Sequence, residues 1–165
     1  MLNFLRGNTT SAKKSLRICQ TQIKQTIKKD AARIDRKLAL YKSELLAAQI
    51  AFGEGRGHES HAIATQLLKE LESESKVFLQ STDTTIQLAA TRLFLSGLLT
   101  KSKRVDEATV LQQLVVSSLK DLPHPAAKDI LAKAYESLEK ITISNELIQG
   151  LDSIRYRHYR IGQHS

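Results

Sequence analysis

Ser11–Phe52, SAKKSLRICQTQIKQTIKKDAARIDRKLALYKSELLAAQIAF, contains neither glycine nor proline. Apolar side chains recur along it at Leu16, Ile23, Ile27, Ile34, Leu38, Tyr41, Leu45, Ala48 and Phe52. From Ile27, with Ala31 included, the steps alternate four and three. That spacing returns apolar groups to one side of a helix every two turns, and it predicts a helix packed lengthwise on another. Leu16 to Phe52 is 37 residues, a rod of about 55 Å at 1.5 Å per residue.

Gly53-Glu54-Gly55-Arg56-Gly57 stops this pattern. Three glycines in five residues supply the left-handed conformations of a helix end and a tight reversal. The apolar pattern resumes with Ile63, Leu67, Leu71, Phe78, Ile86, Ala89 and Leu93. Residues 11–100 therefore read as a long antiparallel helical hairpin turned at Gly53, Gly55 and Gly57. Ser81–Thr85 is a weak helix former, so the second arm is expected to bend there. Gly97 and the polar Thr100–Arg104 mark a second weak point.

Shorter helices follow. Val105–Leu122 is periodic through Val105, Ala108, Leu111, Leu114, Val115 and Leu119. Pro123-His124-Pro125 ends it, since neither proline donates a backbone bond. Ala126–Ile141 reads as the next helix, with Ile130, Leu131, Ala134, Leu138 and Ile141 inward. Ser144 can cap a last short helix bearing Leu147, Ile148, Leu151 and Ile154. The repeats share neither length nor signature, so no solenoid is expected. The chain divides into an apolar tip (1–10), an all-α core (11–154; hairpin 11–100, shorter helices 105–154) and a basic flexible tail (155–165).

Composition agrees with an all-α chain. Ala, Leu, Lys, Gln and Glu are plentiful, while aromatics are 5% of 165 residues, too few to suggest sheets. A single cysteine, Cys19, cannot form an internal disulfide and fits a reducing, cytosolic compartment. No run approaches the roughly 20 apolar residues of a membrane span, so any membrane contact is expected to be peripheral.

Charge is distributed unevenly. Met1–Phe52 holds eleven basic residues and three acids, which accounts for the whole net charge of +8. Gly53–Ser165 is balanced. The basic residues are Arg6, Lys13, Lys14, Arg17, Lys24, Lys28, Lys29, Arg33, Arg36, Lys37 and Lys42. At 100° per residue Lys13, Arg17, Lys24, Lys28 and Lys42 form one strip beside the seam. Lys14, Lys29, Arg33, Arg36 and Lys37 fall on the far side. A solvated helix face usually mixes signs, so this arrangement points to a polyanion, either lipid or nucleic acid. Leu2, Phe4 and Leu5 ahead of it form a candidate membrane wedge, because apolar insertion beside a basic patch gives the two signals of stable anchoring.

Other constellations carry little. Gly53–Gly57 follows a helix and lacks the Gly-Lys-Ser/Thr of a phosphate loop. His58 and His61, near Glu54 and Glu59, lack a third and fourth ligand at metal-binding spacing. Cys19 has no base or orienting partner and is expected to pack. No paired carboxylate or triad stands out, and no cofactor is implied. The expectation is a chain that is not an enzyme.

The order of these parts is similar to an ESCRT-III subunit. Ile23–Ala48, with Lys28-Lys29-Asp30-Ala31-Ala32-Arg33, resembles the basic first helix of that family. Gly53–Leu68 resembles its hairpin turn and the start of its second helix, and Ala132–Ile154 its later region. The resemblance implies a subunit that is closed as a bundle or opens into an extended form. Open subunits would polymerise into filaments on anionic membranes, alone or with other ESCRT-III-like subunits, to remodel, constrict or sever them. It implies a cytoplasmic, peripheral location, with endosomal and division-site membranes as settings. Ile130, Leu131, Leu138, Leu147 and Leu151 would then be polymer contacts. The family's acidic C-terminal half and its Leu-rich helix that recruits an AAA-type ATPase are not seen; the chain reads Arg155-Tyr156-Arg157-His158-Tyr159-Arg160 there instead. A basic helical nucleic-acid-binding protein and a helical-bundle adaptor are the alternative readings.

Overall fold

The structure, a computed structural model, describes residues 9–29, 34–78 and 81–142. Every regular element among them is a helix: α1 Thr9–Lys29, α2 Ile34–Gly53, α3 Gly57–Phe78, α4 Thr82–Lys101, α5 Val105–Leu119 and α6 over 125–142. Each of α1 to α5 packs on its neighbour in sequence, and α2 also touches α4.

The 37-residue rod from Leu16 to Phe52 is not what forms. Its sequence is divided between α1 and α2, which lie side by side and antiparallel. Lys13 pairs with Glu54, Lys24 lies 3.8 Å from Glu44, and the Arg36 guanidinium donates to the Thr26 carbonyl at 3.1 Å. The reason lies in the partner. The α3 helix runs antiparallel to α2, and the Lys37 ammonium meets Glu74 at 2.8 Å, one turn before α3 ends at Phe78. A straight rod would carry Leu16, Ile23 and Ile27 beyond that end with nothing to face. Folding back gives them α2.

The second arm reverses as well, at the segment expected to bend. Ser81 caps α4 from an extended conformation (φ −92°, ψ 125°), its hydroxyl accepting from the Thr84 N–H at a long 3.5 Å. Arg92 then lies 3.0 Å from Glu72, which sets α4 antiparallel to α3.

Two reversals share one backbone solution. The Arg56 N–H reaches the Ala51 carbonyl (2.9 Å) and the Gly55 N–H that of Phe52 (3.0 Å). After α4, the Arg104 N–H reaches Leu99 (2.9 Å) and the Lys103 N–H Thr100 (3.0 Å). Both are Schellman motifs, which satisfy the last carbonyls of a helix through one left-handed residue. Gly55 fills that position without strain at φ 80°, whereas Lys103 fills it at φ 62° with a side chain. Only Gly55 of the three turn glycines needs to be glycine for its backbone. A Cβ at Gly53, Gly55 or Gly57 would meet nothing within 4 Å. Between α5 and α6, Pro125 takes the first helical position, where a missing N–H costs nothing, and the His124 ring accepts from the Ala126 N–H at 3.2 Å.

The core sits on α4. One cluster joins Tyr41, Leu45 and Ala48 of α2 to Ala64, Leu67, Leu68 and Leu71 of α3, and to Leu88, Leu95, Leu98 and Leu99 of α4, with Ala108 of α5. A second joins Ala89 of α4 to Val115 and Leu119 of α5 and to Ala127 and Ala134 of α6. Helix α4 is thus buried on opposite sides. Its buried hydroxyls bond back along the helix, Thr91 to the Gln87 carbonyl (2.9 Å) and Ser96 to that of Leu93 (2.8 Å). That satisfies these two hydroxyls inside the helix bundle, while Gln87 Nε2 and Arg92 Nε, also buried on α4, find no hydrogen-bond partner among the described residues.

Candidate polyanion surface and its anchorage

Helix α1 carries six basic residues, Lys13, Lys14, Arg17, Lys24, Lys28 and Lys29, and no acid. Residues 34–142 carry fourteen basic and fourteen acidic residues. The charge excess of the first third is therefore concentrated on α1, and the two strips read on a single rod are split. On α2, Arg36 bonds the Thr26 carbonyl, Lys37 pairs with Glu74, and Lys42 is exposed.

On α1 the basic residues have two fates. Lys13 and Lys24 point toward the body and meet Glu54 and Glu44. Lys14 and Arg17 are exposed. The side chains of Lys28 and Lys29 lie outside those described. Arg6, Arg33 and the wedge residues Leu2, Phe4 and Leu5 lie outside the described residues. Arg17 also borders a small cleft of about 130 Å³ between α1 and the start of α3, lined by Leu16, Gln20, Ala47 and Ile63 among others.

The two carboxylates that hold α1 differ. Glu54 is shared by Lys13 and by Arg56, whose Nε and Nη2 reach it at 3.0 and 2.6 Å. Hydrogen bonds from Lys13 and Arg56 hold its carboxyl below the usual range. Arg56 also pairs with Glu59. Glu44 is pushed up instead, first by burial and then by neighbouring Glu70, with Lys24 working against both. Tyr41 stands in the same group. Burial raises its phenol furthest, and Glu74, Glu70 and Glu44 add to the shift. Lys24 thus brings positive charge to a place where acids crowd.

Of the expected polymer contacts, Ile130 and Leu131 pack on the second core cluster, and Leu138 is half-buried. Leu147 and Leu151 lie outside the described residues. Cys19, expected to pack, is exposed. Among the described residues no group of three or more metal-ligating side chains converges, and no helix is long and apolar enough to cross a membrane. A groove of about 360 Å³ runs between α3 and α5 over α4, with Leu95, Leu99, Val110 and Leu111 in its lining and His61, Arg104 and Glu107 at its rim. Sequence reading missed the roles of Glu44 and Glu54. Their signal was available, since Glu44 is one of only three acids in the first 52 residues.

Comparison with family models, with curated proteins and with solved structures finds no match.

Proposed function

We propose that this chain is a non-catalytic helical subunit that attaches to anionic membrane surfaces through its N-terminal arm. The observation that supports this reading most is the acid-free α1 on a body of zero net charge. Lys14 and Arg17 are exposed, with no ion partner among the described residues, so their charge is available to a surface. Each basic residue near an anionic leaflet contributes about 1 kcal/mol, falling off within a Debye length. The described residues offer no aromatic stacking platform beside α1, which favours lipid over single-stranded nucleic acid.

The resemblance to ESCRT-III subunits adds self-association into membrane-bending filaments to this reading. Its support is the order of sequence features. Ile130 and Leu131 would then exchange contacts within one chain for contacts with a neighbour.

Sedimentation with phosphatidylserine vesicles tests the attachment. Binding to these vesicles, absence of binding to phosphatidylcholine vesicles and release by added salt are expected. Lys14→Glu with Arg17→Glu weakens it. Failure to bind the anionic vesicles overturns the proposal, and equal affinity for duplex DNA moves it to nucleic acid. Negative-stain images with and without vesicles test the filament part, which falls if only single particles are seen.

A further inference from the structure

Among the described residues α1 is the one helix with no buried side chain. It belongs to neither core cluster. Yet it is the most strongly amphipathic of α1 to α5. Leu16, Ile23 and Ile27 share its inner side and are only half-buried there. Lys13, Arg17 and Lys24 flank that side along one margin, by the 100° register of a helix. An apolar stripe with a basic margin and no acid is the composition of a helix that lies in a membrane interface.

The attachment of α1 to the body is made of replaceable parts. Lys13 and Lys24 hold one carboxylate each. Anionic lipids present the same chemistry, a phosphate or carboxylate oxygen, at high local density. The Lys24–Glu44 pair is wide, at 3.8 Å with the Lys24 side chain 58% exposed, so little is lost in its exchange.

We infer that α1 leaves the body and lies in the plane of an anionic bilayer. Leu16, Ile23 and Ile27 enter the headgroup boundary, and lipid oxygens replace Glu54 and Glu44 as partners of Lys13 and Lys24. This rests on the membrane reading above and adds the geometry of contact. The competing geometry keeps α1 docked and applies its outward side, where Ile18 is 50% exposed. Ile18 lies roughly opposite Leu16 and Ile27 on the helix, so the two geometries use different residues.

Gln20 and Ala47 line the same cleft from α1 and α2. A full-length chain carrying Gln20→Cys, Ala47→Cys and Cys19→Ser can be tested oxidised and reduced against phosphatidylserine vesicles. The reduced form binds, and the oxidised form, with α1 tied to α2, binds at least about tenfold more weakly. Equal binding by both forms overturns the inference while leaving the membrane reading standing. Failure of the reduced form and of the parent chain to bind removes both. Should the disulfide not form, single substitutions decide. Ile23→Ser loses about tenfold in vesicle affinity and Ile18→Ser binds as the parent does. The reverse order overturns the inference. Unchanged far-ultraviolet circular dichroism shows that each variant keeps its helices.

Discussion

Helices α1 and α4 are almost the same length, 21 and 20 residues, and are held in opposite ways. Helix α4 buries nine residues, among them Leu88, Leu95, Leu98 and Leu99, and serves both core clusters. Helix α1 buries none of its described side chains and is held by half-buried apolar contacts, two ion pairs and the Arg36 bond to the Thr26 carbonyl. Apolar burial is neither screened by salt nor exchanged for competing anions, whereas ion pairs near the surface are screened by one and exchanged for the other. The difference teaches that one chain can contain a fixed body and an arm whose attachment depends on its surroundings.

The largest effect expected on this contrast is in the core. Leu67, 1% exposed on α3, leaves a cavity when shortened, and Leu67→Ala costs about 2–5 kcal/mol of unfolding free energy. Leu16→Ala on α1 costs under about 1 kcal/mol because the side chain is only half-buried. Urea titrations of the two variants measure both, and equal losses would erase the distinction between body and arm.

The reversals come next. Gly55→Ala places a Cβ at φ 80° and costs about 1–2 kcal/mol. Lys103→Gly relieves the same conformation at φ 62° and gains about 1 kcal/mol. Thermal melts of the pair should move in opposite directions. A loss for Lys103→Gly would show that its left-handed backbone carries no cost.

The smallest effect is the most specific to the contrast. Glu44 has a raised folded-state pKa, so the folded chain binds its proton more tightly than the unfolded chain does. Its contribution to stability therefore grows as pH falls through the raised value, and its ionised form weighs against the fold at neutral pH. Glu44→Gln is expected to leave the body as stable or up to about 1 kcal/mol more stable at neutral pH. It also removes Lys24's partner, so amide exchange in α1 should quicken while that in α4 is unchanged. Slower exchange in α1 would reverse the role assigned to this ion pair.

Much of the helical layout was legible from spacing and breakers. Gly53–Gly57, Ser81 and Pro123–Pro125 fall where helices end or begin, because glycine, a capping hydroxyl and proline act through their own backbone chemistry. The break between α1 and α2 was not legible. Ile27, Ala31, Ile34 and Leu38 keep a steady seam across it, and periodicity reports which side of a helix is apolar, not how much partner surface exists to cover it. The basic strips were drawn on that rod and are divided with it: Lys13, Arg17 and Lys24 share one margin of α1, while Arg36, Lys37 and Lys42 stand on α2. Cys19 was read as packed because it has no base or orienting partner; it is exposed because α1 turns a different side to α2.

By itself the sequence determined that this chain is helical, where several of its helices stop, and that its charge excess lies near the start. These follow from local chemistry and counting. Only the tertiary structure decided that the excess belongs to α1, a separate helix lying on a neutral body. That depended on the length of α3: it ends at Phe78, one turn past Glu74, so the seam ahead of α2 found its partner in α2 itself.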